Sequence, residues 1–427
     1  MEAIKQAEPD RLVERHVAAL QATPAVAEIA DLLPDLVALR RDLHAHPELA
    51  FEEHRTAGAV ARTLRDLGLE VHEGIGGTGV VGVLRNGRSS ATVGLRADMD
   101  ALPLVEQGAH AHASTVAGVH HGCGHDGHTA ILLGAARQLA RTRRFDGTVH
   151  FIFQPAEEGR GGARAMVEDG LFERFACNAV YALHNWPDLP AGSAQTRAGP
   201  IMAAADRFDI VVRGRGGHAA QPHRTPDAIL AASELVTQLH TLVSRRIDPS
   251  AAAVLSVTRI AGGHSHNVLP ASVELTGTVR TFDAEVQDAI EAALRQVAQG
   301  IAQASGTDID VRYVRYYPAT VNTAGEAERA LAAAAAIGLQ ASVAPRPAFT
   351  AEDFAFMLRV RPGAYLWLGQ GRGASEDRPL HHPAYDFNDD VIGLGVAWFA
   401  AIAEQALPPR TAGARAHVTL EREQGRP

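Results

Sequence analysis

Residues 147–159 read GTVHFIFQPAEEG, and this stretch decides the fold class of the chain. Segment 147–153 is short and largely apolar, which is typical of a strand buried on both faces in the centre of a sheet. Two adjacent carboxylates, Glu157 and Glu158, follow it directly. Open α/β sheets place functional side chains beyond the carboxyl ends of such strands. The stretch therefore predicts an α/β fold with a polar site at one edge of a central sheet.

Strand and helix patterns alternate on both sides of this stretch. The predicted elements are strands at 78–84, 91–97 and 179–183 and a helix at 126–141. Asn86-Gly87 lies between the first two of these strands and is typical of a β-hairpin turn. The alternation predicts a sheet with helices packed on its faces.

A different order of elements begins near residue 204. The predicted spans are strand 206–213, helix 225–247, strands 252–260 and 271–281, helix 283–304 and strand 308–316. This β-α-β-β-α-β order is typical of a ferredoxin-like module. We therefore predict a catalytic domain in two parts that is interrupted by a second domain, with an extension at each end. The predicted boundaries are 31–200 and 321–408 for the catalytic domain, 201–320 for the second domain, and 1–30 and 409–427 for the extensions.

Composition excludes several classes of protein. The chain has 427 residues, 46% of them hydrophobic, and a formal net charge of -9 from 40 Lys+Arg and 49 Asp+Glu. A mildly acidic chain lacks the basic surface that nucleic-acid binding requires. It also contains no apolar run of membrane-spanning length and no apolar leader. Two cysteines exclude a disulfide framework and indicate a reducing compartment, so we expect a cytoplasmic protein.

The densest group of potential metal ligands lies at 120–128, HHGCGHDGH. Here a thiol and an imidazole, Cys123 and His125, are separated by one residue on a Gly-rich turn before the predicted helix. In a reducing compartment such a pair is a good ligand set for a divalent metal. The alternative is a polar loop that happens to contain histidines. Two ligands do not form a tight site, so the remaining ligands have to come from other segments.

Three segments could supply these ligands. One of Glu157 and Glu158 could bind metal while its neighbour serves as general base, and the pattern leaves open which does which. His184 follows another apolar strand, and the pair His381-His382 precedes a turn and a helix. Taken singly, each histidine could equally be a surface residue.

Other polar residues are candidates for supporting roles. Asp98 and Asp100 end a strand and could orient a ligand histidine, bind a second metal or cap a turn. In the second domain, His218 lies in a Gly-rich loop and Asn267 follows the next strand. Arg280 could bind a carboxylate through both of its guanidinium nitrogens or form a surface salt bridge.

Taken together, these segments resemble the zinc-aminopeptidase-like amidohydrolases of the aminoacylase and carboxypeptidase G group. Within that group they are most similar to the branch of hippurate hydrolase and the indole-acetyl-amino-acid hydrolases. The resemblance covers about 44–390. It rests on ten motifs in order: HAHPELAFEE at 44–53, RADMDALPLVE at 96–106, HHGCGHDGH at 120–128, QPAEEG at 154–159, HNWP at 184–187, GRGGHAAQPH at 214–223, GGHSHNVLP at 262–270, GTVR at 277–280, AEDF at 351–354 and HHPAYDFND at 381–389.

The resemblance implies roles for individual residues. It implies a two-metal site whose ligands are Cys123, His125, Glu158, His184 and His382. It also implies Glu157 as general base, Asp100 as the acid that orients a ligand, His218 as a histidine that reaches into a neighbouring subunit's site, and Asn267 and Arg280 as residues that bind the substrate carboxylate. His120, Gly122 and Ala351 depart from the usual Met, Ala and Ser of the family, which affects substrate preference more than activity.

The implied fold is a metallopeptidase catalytic domain with a central mixed sheet, interrupted by a ferredoxin-like lid that also dimerises. The implied activity is metal-dependent hydrolysis of the amide bond of an N-acyl amino acid, with two divalent ions (Zn or Mn, with Co or Ni as alternatives). A homodimer or larger homo-oligomer is expected, with no nucleic-acid or membrane partner. Two alternatives stay open: a dipeptidase or carboxypeptidase that uses the same site, and a non-catalytic metal-binding relative.

Overall fold

The computed structural model describes residues 17–373 and 377–409. Its helices are α1 (Pro24–Ala27), α2 (Leu33–Ala45), α3 (His54–Asp66), α4 (His125–Thr142), α5 (Glu157–Arg160), α6 (Gly162–Glu168), α7 (Leu171–Arg174), α8 (Ala228–Arg246), α9 (Ala284–Ser305), α10 (Ala324–Ala336), α11 (Ala355–Leu358) and α12 (Ile392–Ala406). Short 3-10 helices occupy Pro222–Arg224 and Asp389–Val391.

The strands of the described part form two large sheets and two short two-stranded pairs. They are β1 (Glu70–Ile75), β2 (Gly79–Asn86), β3 (Thr92–Asp98), β4 (Gly147–Gln154), β5 (Ala179–Pro190), β6 (Ser193–Thr196), β7 (Gly199–Met202), β8 (Ala204–Arg213), β9 (Gly217–His218), β10 (Ala253–Ala261), β11 (Val268–Leu269), β12 (Ser272–Thr281), β13 (Asp308–Tyr317), β14 (Thr320–Asn322), β15 (Gln340–Val343) and β16 (Gly363–Gly371).

The larger sheet has eight strands in the order β1-β2-β4-β3-β5-β16-β6-β15. Its central strands β4, β3, β5 and β16 run parallel, whereas β1, β2 and β6 join antiparallel partners. The sheet is therefore mixed, which confirms the predicted α/β class. Phe151 and Phe153 of β4 belong to one hydrophobic core and Ile152 to the core on the opposite face. Burial on both faces explains why the sequence of β4 is a nearly continuous apolar run.

The hairpin predicted at Asn86-Gly87 is wrong. Strand β2 pairs with β4, which lies between β2 and β3 in the sheet. The turn itself exists, because Gly87 has a φ of 72°. The Asn86 side-chain amide donates to the carbonyl oxygens of Arg143 and Phe145, which hold the start of β4 in the position beside β2.

The segment between β7 and β14 forms a second, antiparallel sheet. Its order is β10-β12-β8-β13, and the chain visits these strands and helices as β8-α8-β10-β12-α9-β13, apart from the short pair β9 and β11. Helices α8 and α9 contribute Leu235 and Leu294 to a separate hydrophobic core with this sheet. This arrangement has the β-α-β-β-α-β order that the sequence indicates. The boundary of this second domain at 201–320 stays a prediction.

The ends of the chain lie partly outside the described residues. Of the predicted extensions, 1–16 and 410–427 fall outside them. Within the part that is described, Val26 of α1 is buried in the core that includes α12. In the described ranges, helices with the length and apolar character needed to cross a bilayer are absent.

Candidate active site

The carboxyl ends of the parallel central strands meet at one edge of the eight-stranded sheet. Strand β3 runs into the loop that carries Asp100, β4 runs into α5 with Glu157 and Glu158, and β5 contains His184. Parallel pairing of β3 with both β4 and β5 makes these ends coincide. The topology therefore brings together side chains that are far apart in the sequence.

A thiol and two imidazoles form the centre of this site. The Sγ atom of Cys123 lies 3.5 Å from Nε2 of His184. Together with His125, these buried residues each offer one ligand atom within 4.8 Å of the other two. Gly124 makes the turn between Cys123 and His125 with a φ of 94°. A Cβ atom there would lie 2.6 Å from Oδ1 of Asn185, so both the backbone conformation and the space require glycine.

Hydrogen bonds leave the metal-binding nitrogens of both histidines free. Nδ1 of His125 donates to the backbone carbonyl of Asp100 at 2.8 Å, and Nδ1 of His184 donates to the carbonyl of Asn185 at 2.7 Å. A carbonyl oxygen only accepts, so Nδ1 carries a proton in each ring, and Nε2 is the nitrogen that a metal would bind in the neutral ring. Nε2 of His125 has no hydrogen-bond partner among the described residues. This is the arrangement that metal-ligating histidines show.

A carboxylate and a third imidazole complete the group. Glu158 places Oε1 3.2 Å from Nε2 of His381, and Cys123, Glu158 and His381 form a second set of ligand atoms within 4.8 Å. Oε1 of Glu158 accepts no hydrogen bond from the described residues. Cys123 is thus common to both sets, so four other side chains converge around its thiol.

His381, and not His382, is the histidine that meets Glu158, which corrects the sequence-based ligand set. Nδ1 of His382 accepts the backbone N–H of Ala384 at 3.0 Å. His381 has a left-handed φ of 65°, and this turn directs the first of the two adjacent rings to the cavity. The sequence contains two equivalent imidazoles in a row, and only the backbone conformation distinguishes them.

Asp100 holds the backbone of the two glutamates and a ligand histidine. Its Oδ1 and Oδ2 atoms accept the backbone N–H groups of Glu157 and Glu158 at 3.0 Å and 2.9 Å. Oδ1 also lies 3.3 Å from Nδ1 of His125. Asp100 is itself buried, so these contacts satisfy a carboxylate that would otherwise be costly to bury.

The pKa shifts of the buried groups allow a test of whether they fit a cation. Burial, together with the nearby carboxylates of Glu352 and Glu158, raises the pKa of Glu157 well above its usual value. Burial and Glu158 likewise raise the pKa of the Cys123 thiol, whereas burial lowers the pKa of His184. A bound divalent ion would lower the pKa of the thiol and the carboxyl groups, because it stabilises their charged forms. The same ion binds an imidazole in its neutral form, which the lowered pKa of His184 favours. The residues present therefore fit a divalent metal.

A cavity of about 920 Å³ opens beside this group. Cys123, Glu157, Glu158, His184 and His381 line one part of it, and Arg280 of β12 lines another. Arg280 is partly buried and forms no ion pair with a described acidic residue; its Nη1 donates to the carbonyl of Val279 at 3.1 Å and to Oγ1 of Thr278. An unpaired guanidinium in a cavity is available to bind an anionic group of a ligand.

His218 and Asn267 lie away from this cavity in the described part of the chain. His218 belongs to β9, which pairs with β11 immediately after Asn267, and both residues are exposed. The backbone N–H of Ala219 donates to the Asn267 carbonyl at 3.0 Å. Neither side chain lines the cavity within the described residues.

A buried cation beneath the site escaped the sequence analysis. Arg96 donates to Asp98 at 2.8 Å and to Glu352 at 2.9 Å, and Asp98 in turn lies 2.6 Å from Nδ1 of His128. Asp98 was one of the sequence candidates, but its partners were not foreseen. The AEDF motif at 351–354 was a signal for Glu352 and Asp353, although nothing in the motif indicated that Arg96 is their counter-ion.

The chain is similar to known proteins over most of its length. The sequence profile described as Peptidase family M20/M25/M40 matches residues 94–405. Hippurate hydrolase of Campylobacter jejuni is 39% identical over 380 residues, which are 88% of this chain and 98% of the relative. N-acetylcysteine deacetylase of Bacillus subtilis is 39% identical over 370 residues, 86% of this chain and 96% of the relative. Among solved structures, a Bacillus subtilis protein described as a dinuclear metal-binding peptidase of the M20 family has a TM-score of 0.77 at 36% identity, with coverage of 88% and 98%.

Proposed function

The chain belongs to peptidase family M20/M25/M40, and from this premise we propose that it is a metal-dependent amidohydrolase of N-acyl amino acids. It cleaves the amide bond to give a carboxylic acid and an amino acid. The observation that carries the proposal is the convergence of Cys123, Glu158 and His381 beside Glu157 in a cavity that also contains Arg280. The two relatives that hydrolyse an N-acylated amino acid by name match the chain over most of its length.

Two divalent ions are the proposed cofactor. The residues that would hold them are Cys123, His125, Glu158, His184 and His381. Thiolate and imidazole ligands suit Zn²⁺, while carboxylate also admits Mn²⁺, Co²⁺ or Ni²⁺. When bound, such ions polarise the acyl carbonyl and increase the acidity of a water molecule. The description of the structural relative as dinuclear supports the number of ions.

Glu157 is the proposed general base. It is buried at the cavity wall, where burial and neighbouring carboxylates raise its pKa and so make its carboxylate a stronger base, and bound divalent ions would keep it ionised before the reaction. It accepts a proton from the attacking water and then donates that proton to the departing amine, so the amino-acid product leaves in a neutral, stable form. Asp100 supports this role because it fixes the backbone N–H of Glu157 and orients His125.

The second domain is proposed to bind the amino-acid half of the substrate. Arg280 binds the free α-carboxylate through charge-assisted hydrogen bonds, and Asn267, which lies outside this chain's cavity, is proposed to take part in that role from a partner subunit. His218 and Asn267 are exposed, which is consistent with a homodimer in which His218 contributes to the partner subunit's site. We propose that 201–320 acts as a lid over the catalytic domain, formed by 31–200 and 321–408, and excludes water when it closes.

A dipeptidase or C-terminal exopeptidase activity is the second candidate, because the structural relative at 36% identity is described as a peptidase. A non-catalytic role is disfavoured by the presence of Glu157 together with the whole ligand group. A cytoplasmic location is proposed on the two cysteines, Cys123 and Cys177, which are both free and buried.

One substrate panel tests the proposal. N-benzoyl, N-acetyl and longer N-acyl amino acids are compared with free dipeptides, using protein reconstituted with Zn²⁺, Mn²⁺, Co²⁺ or Ni²⁺. The proposal expects hydrolysis of at least one N-acyl series with higher kcat/KM than any dipeptide. Preference for dipeptides would support the second candidate, and failure on every substrate with every metal would support the non-catalytic relative.

A further inference from the structure

A second group of potential metal ligands lies outside the cavity, and we define His44, Glu106, His110 and His120 as the His44 cluster. His44 belongs to the last turn of α2, while the other three residues come from the long connection between β3 and α4. The cluster shares no residue with the group around Cys123. His44 and His120 are fully buried, and His110 is partly exposed.

The side chains of the cluster converge on the carboxylate of Glu106. Nε2 of His44 lies 3.2 Å and Nε2 of His110 lies 2.7 Å from Oε1 of Glu106, and Nδ1 of His120 lies 3.5 Å from Oε2. One ligand atom each from His44, Glu106 and His110 fall within 4.8 Å of one another. A tetrahedral ion with bonds of about 2.0–2.1 Å separates its ligand atoms by roughly 3.3 Å. The three separations measured to the Glu106 oxygens, 2.7 to 3.5 Å, lie around that value.

Several polar atoms of the cluster are buried without a hydrogen bond. Over the described ranges, neither nitrogen of His120 has a hydrogen-bond partner, and the same is true of Nε2 of His110 despite its short distance to Glu106. Buried nitrogen atoms are almost always paired in folded proteins, so these rings lack a partner that the chain itself does not supply. A cation beside Glu106 would bind Nε2 of His110 and Nδ1 of His120, which is the nitrogen of His120 that lies near Glu106.

The groups behind the ligands are arranged as they are in metal sites. Nδ1 of His44 donates to Oδ2 of Asp126 at 2.8 Å and Nε2 donates to Oε1 of Glu106 at 3.2 Å, so an ion would take the place of the Nε2 proton. A carboxylate, a histidine and a metal in series is a recurring arrangement. Glu106 is held in turn by the backbone N–H of Ser114, which donates to Oε2 at 2.5 Å. Both anchors orient the proposed ligands before any ion binds.

The neighbouring histidine, His112, belongs to a different environment. Its Nε2 lies 3.0 Å from Oδ1 of Asp386 and 3.2 Å from Nη2 of Arg40, and Nη1 of Arg40 donates to the same carboxylate at 2.9 Å. The Arg40 guanidinium thus already neutralises the Asp386 carboxylate beside His112. A divalent ion is therefore expected on the side of Glu106, where three imidazoles surround one carboxylate.

We propose that His44, Glu106, His110 and His120 bind one divalent transition-metal ion, with Zn²⁺ as the best match, at a site separate from the proposed catalytic centre. Three imidazoles and one carboxylate form a closed tetrahedral ligand set of the structural type. The ion fastens the connection between β3 and α4 to α2. That connection also donates the backbone N–H of Gln107 to the carbonyl of Pro383 at 2.7 Å, so the ion stabilises the segment that follows His381.

Metal counting on matched variants tests this site. Full-length protein is stripped with a chelator, reloaded with Zn²⁺, desalted and analysed for zinc per chain. His110→Leu and His120→Leu are each expected to lower the content by about one ion per chain relative to wild type. His46→Leu is the matched control, because His46 is a partly exposed residue two positions from His44 whose Nδ1 contacts the Asp42 carbonyl. Equal zinc in wild type and His110→Leu would overturn the proposal.

Variants of Cys123 and His110 distinguish this site from the proposed catalytic centre. Cys123→Ser removes ligand capacity only from the cavity, so His110→Leu in that background is again expected to lose about one ion per chain. Absorption spectra of the Co²⁺-loaded protein give a second comparison. Cys123→Ser should remove the sulfur-to-metal charge-transfer band, because that band comes from the Cys123 thiolate. His110→Leu should leave the band unchanged, because the ligands of the His44 cluster include no sulfur. His110 is partly exposed, so its variant remains informative if His120→Leu fails to fold. A charge-transfer band that disappears on His110→Leu would contradict a separate site.

Discussion

The backbone N–H of His381 donates to the carbonyl of Gly122 at 2.7 Å, which joins two segments of the proposed metal centre. One segment carries Cys123 and the other carries the ring that meets Glu158. Because His381 has a φ of 65°, its ring turns to the cavity while its backbone stays bound to the loop of Cys123. The ligand group is therefore held by main-chain contacts before any ion binds, which reduces the entropy that metal binding would otherwise cost.

The two adjacent histidines are expected to differ sharply when each is substituted. His381→Ala removes a ligand of the proposed centre and should lower metal affinity and kcat/KM by at least about 100-fold, since even residues behind the ligands contribute 10- to 100-fold. His382→Ala removes a contact to the Ala384 amide and should change both by less than about tenfold. Metal titration and steady-state kinetics on the two variants show which histidine is the ligand. Larger losses in His382→Ala would restore the original sequence-based assignment.

Glu157→Gln is expected to keep bound metal and lose activity. The amide preserves size and the backbone contacts to Asp100, but it cannot accept and return a proton. General acid-base catalysis contributes about 10²–10⁴-fold, so kcat should fall by that range with little change in metal content. Glu173→Gln, an exposed neighbour on α7, is the control. Wild-type turnover in Glu157→Gln would remove Glu157 from the proton transfer.

Arg280→Met is expected to weaken binding of the substrate carboxylate. A hydrogen bond to a charged group contributes about 1.5–3 kcal/mol, which corresponds to roughly a 10- to 150-fold increase in KM. The same substitution should have little effect on a substrate analogue whose carboxylate is replaced by a carboxamide. Arg213→Met is the control, because Arg213 is exposed and pairs with Asp308 at 3.1 Å. An equal loss on acid and amide substrates would argue against this role.

The sequence predicts those features that depend on local patterns. Apolar runs identify β4 and β5 as central strands, and the residues that follow them identify the edge where Glu157, Glu158 and His184 meet. Strand neighbours depend on contacts between distant segments, so the sequence could not show that β4 separates β2 from β3. The choice of His381 over His382 depends on one backbone angle. The partners of Arg96 could not be predicted, because motif spacing does not indicate which buried charges will pair.

The guanidinium of Arg96 neutralises several buried carboxylates under the proposed centre. It donates to Asp98 at 2.8 Å and to Glu352 at 2.9 Å, and it lies 3.4 Å from Asp353. All four side chains are almost completely inaccessible to solvent. Arg96 and the ring nitrogens of His125 and His128 lower the pKa of Asp98 well below its usual value against the opposing effect of burial. The charge of Arg96 thus helps to keep Asp98 ionised inside the protein.

Arg96→Met should therefore destabilise the fold by about 3–5 kcal/mol at neutral pH, because it leaves buried carboxylates without a counter-ion. In the variant, burial without the guanidinium is expected to raise the folded-state pKa of Asp98 above its unfolded value. The folded state then binds more protons, so its stability falls as pH rises. The difference in Tm between wild type and variant should be smaller at pH 5 than at pH 8. Arg259→Met, which breaks the exposed pair with Glu274, should cost at most about 1 kcal/mol at either pH. If Arg96→Met lowers Tm equally at both pH values, Arg96 stabilises the fold through packing and not through its charge.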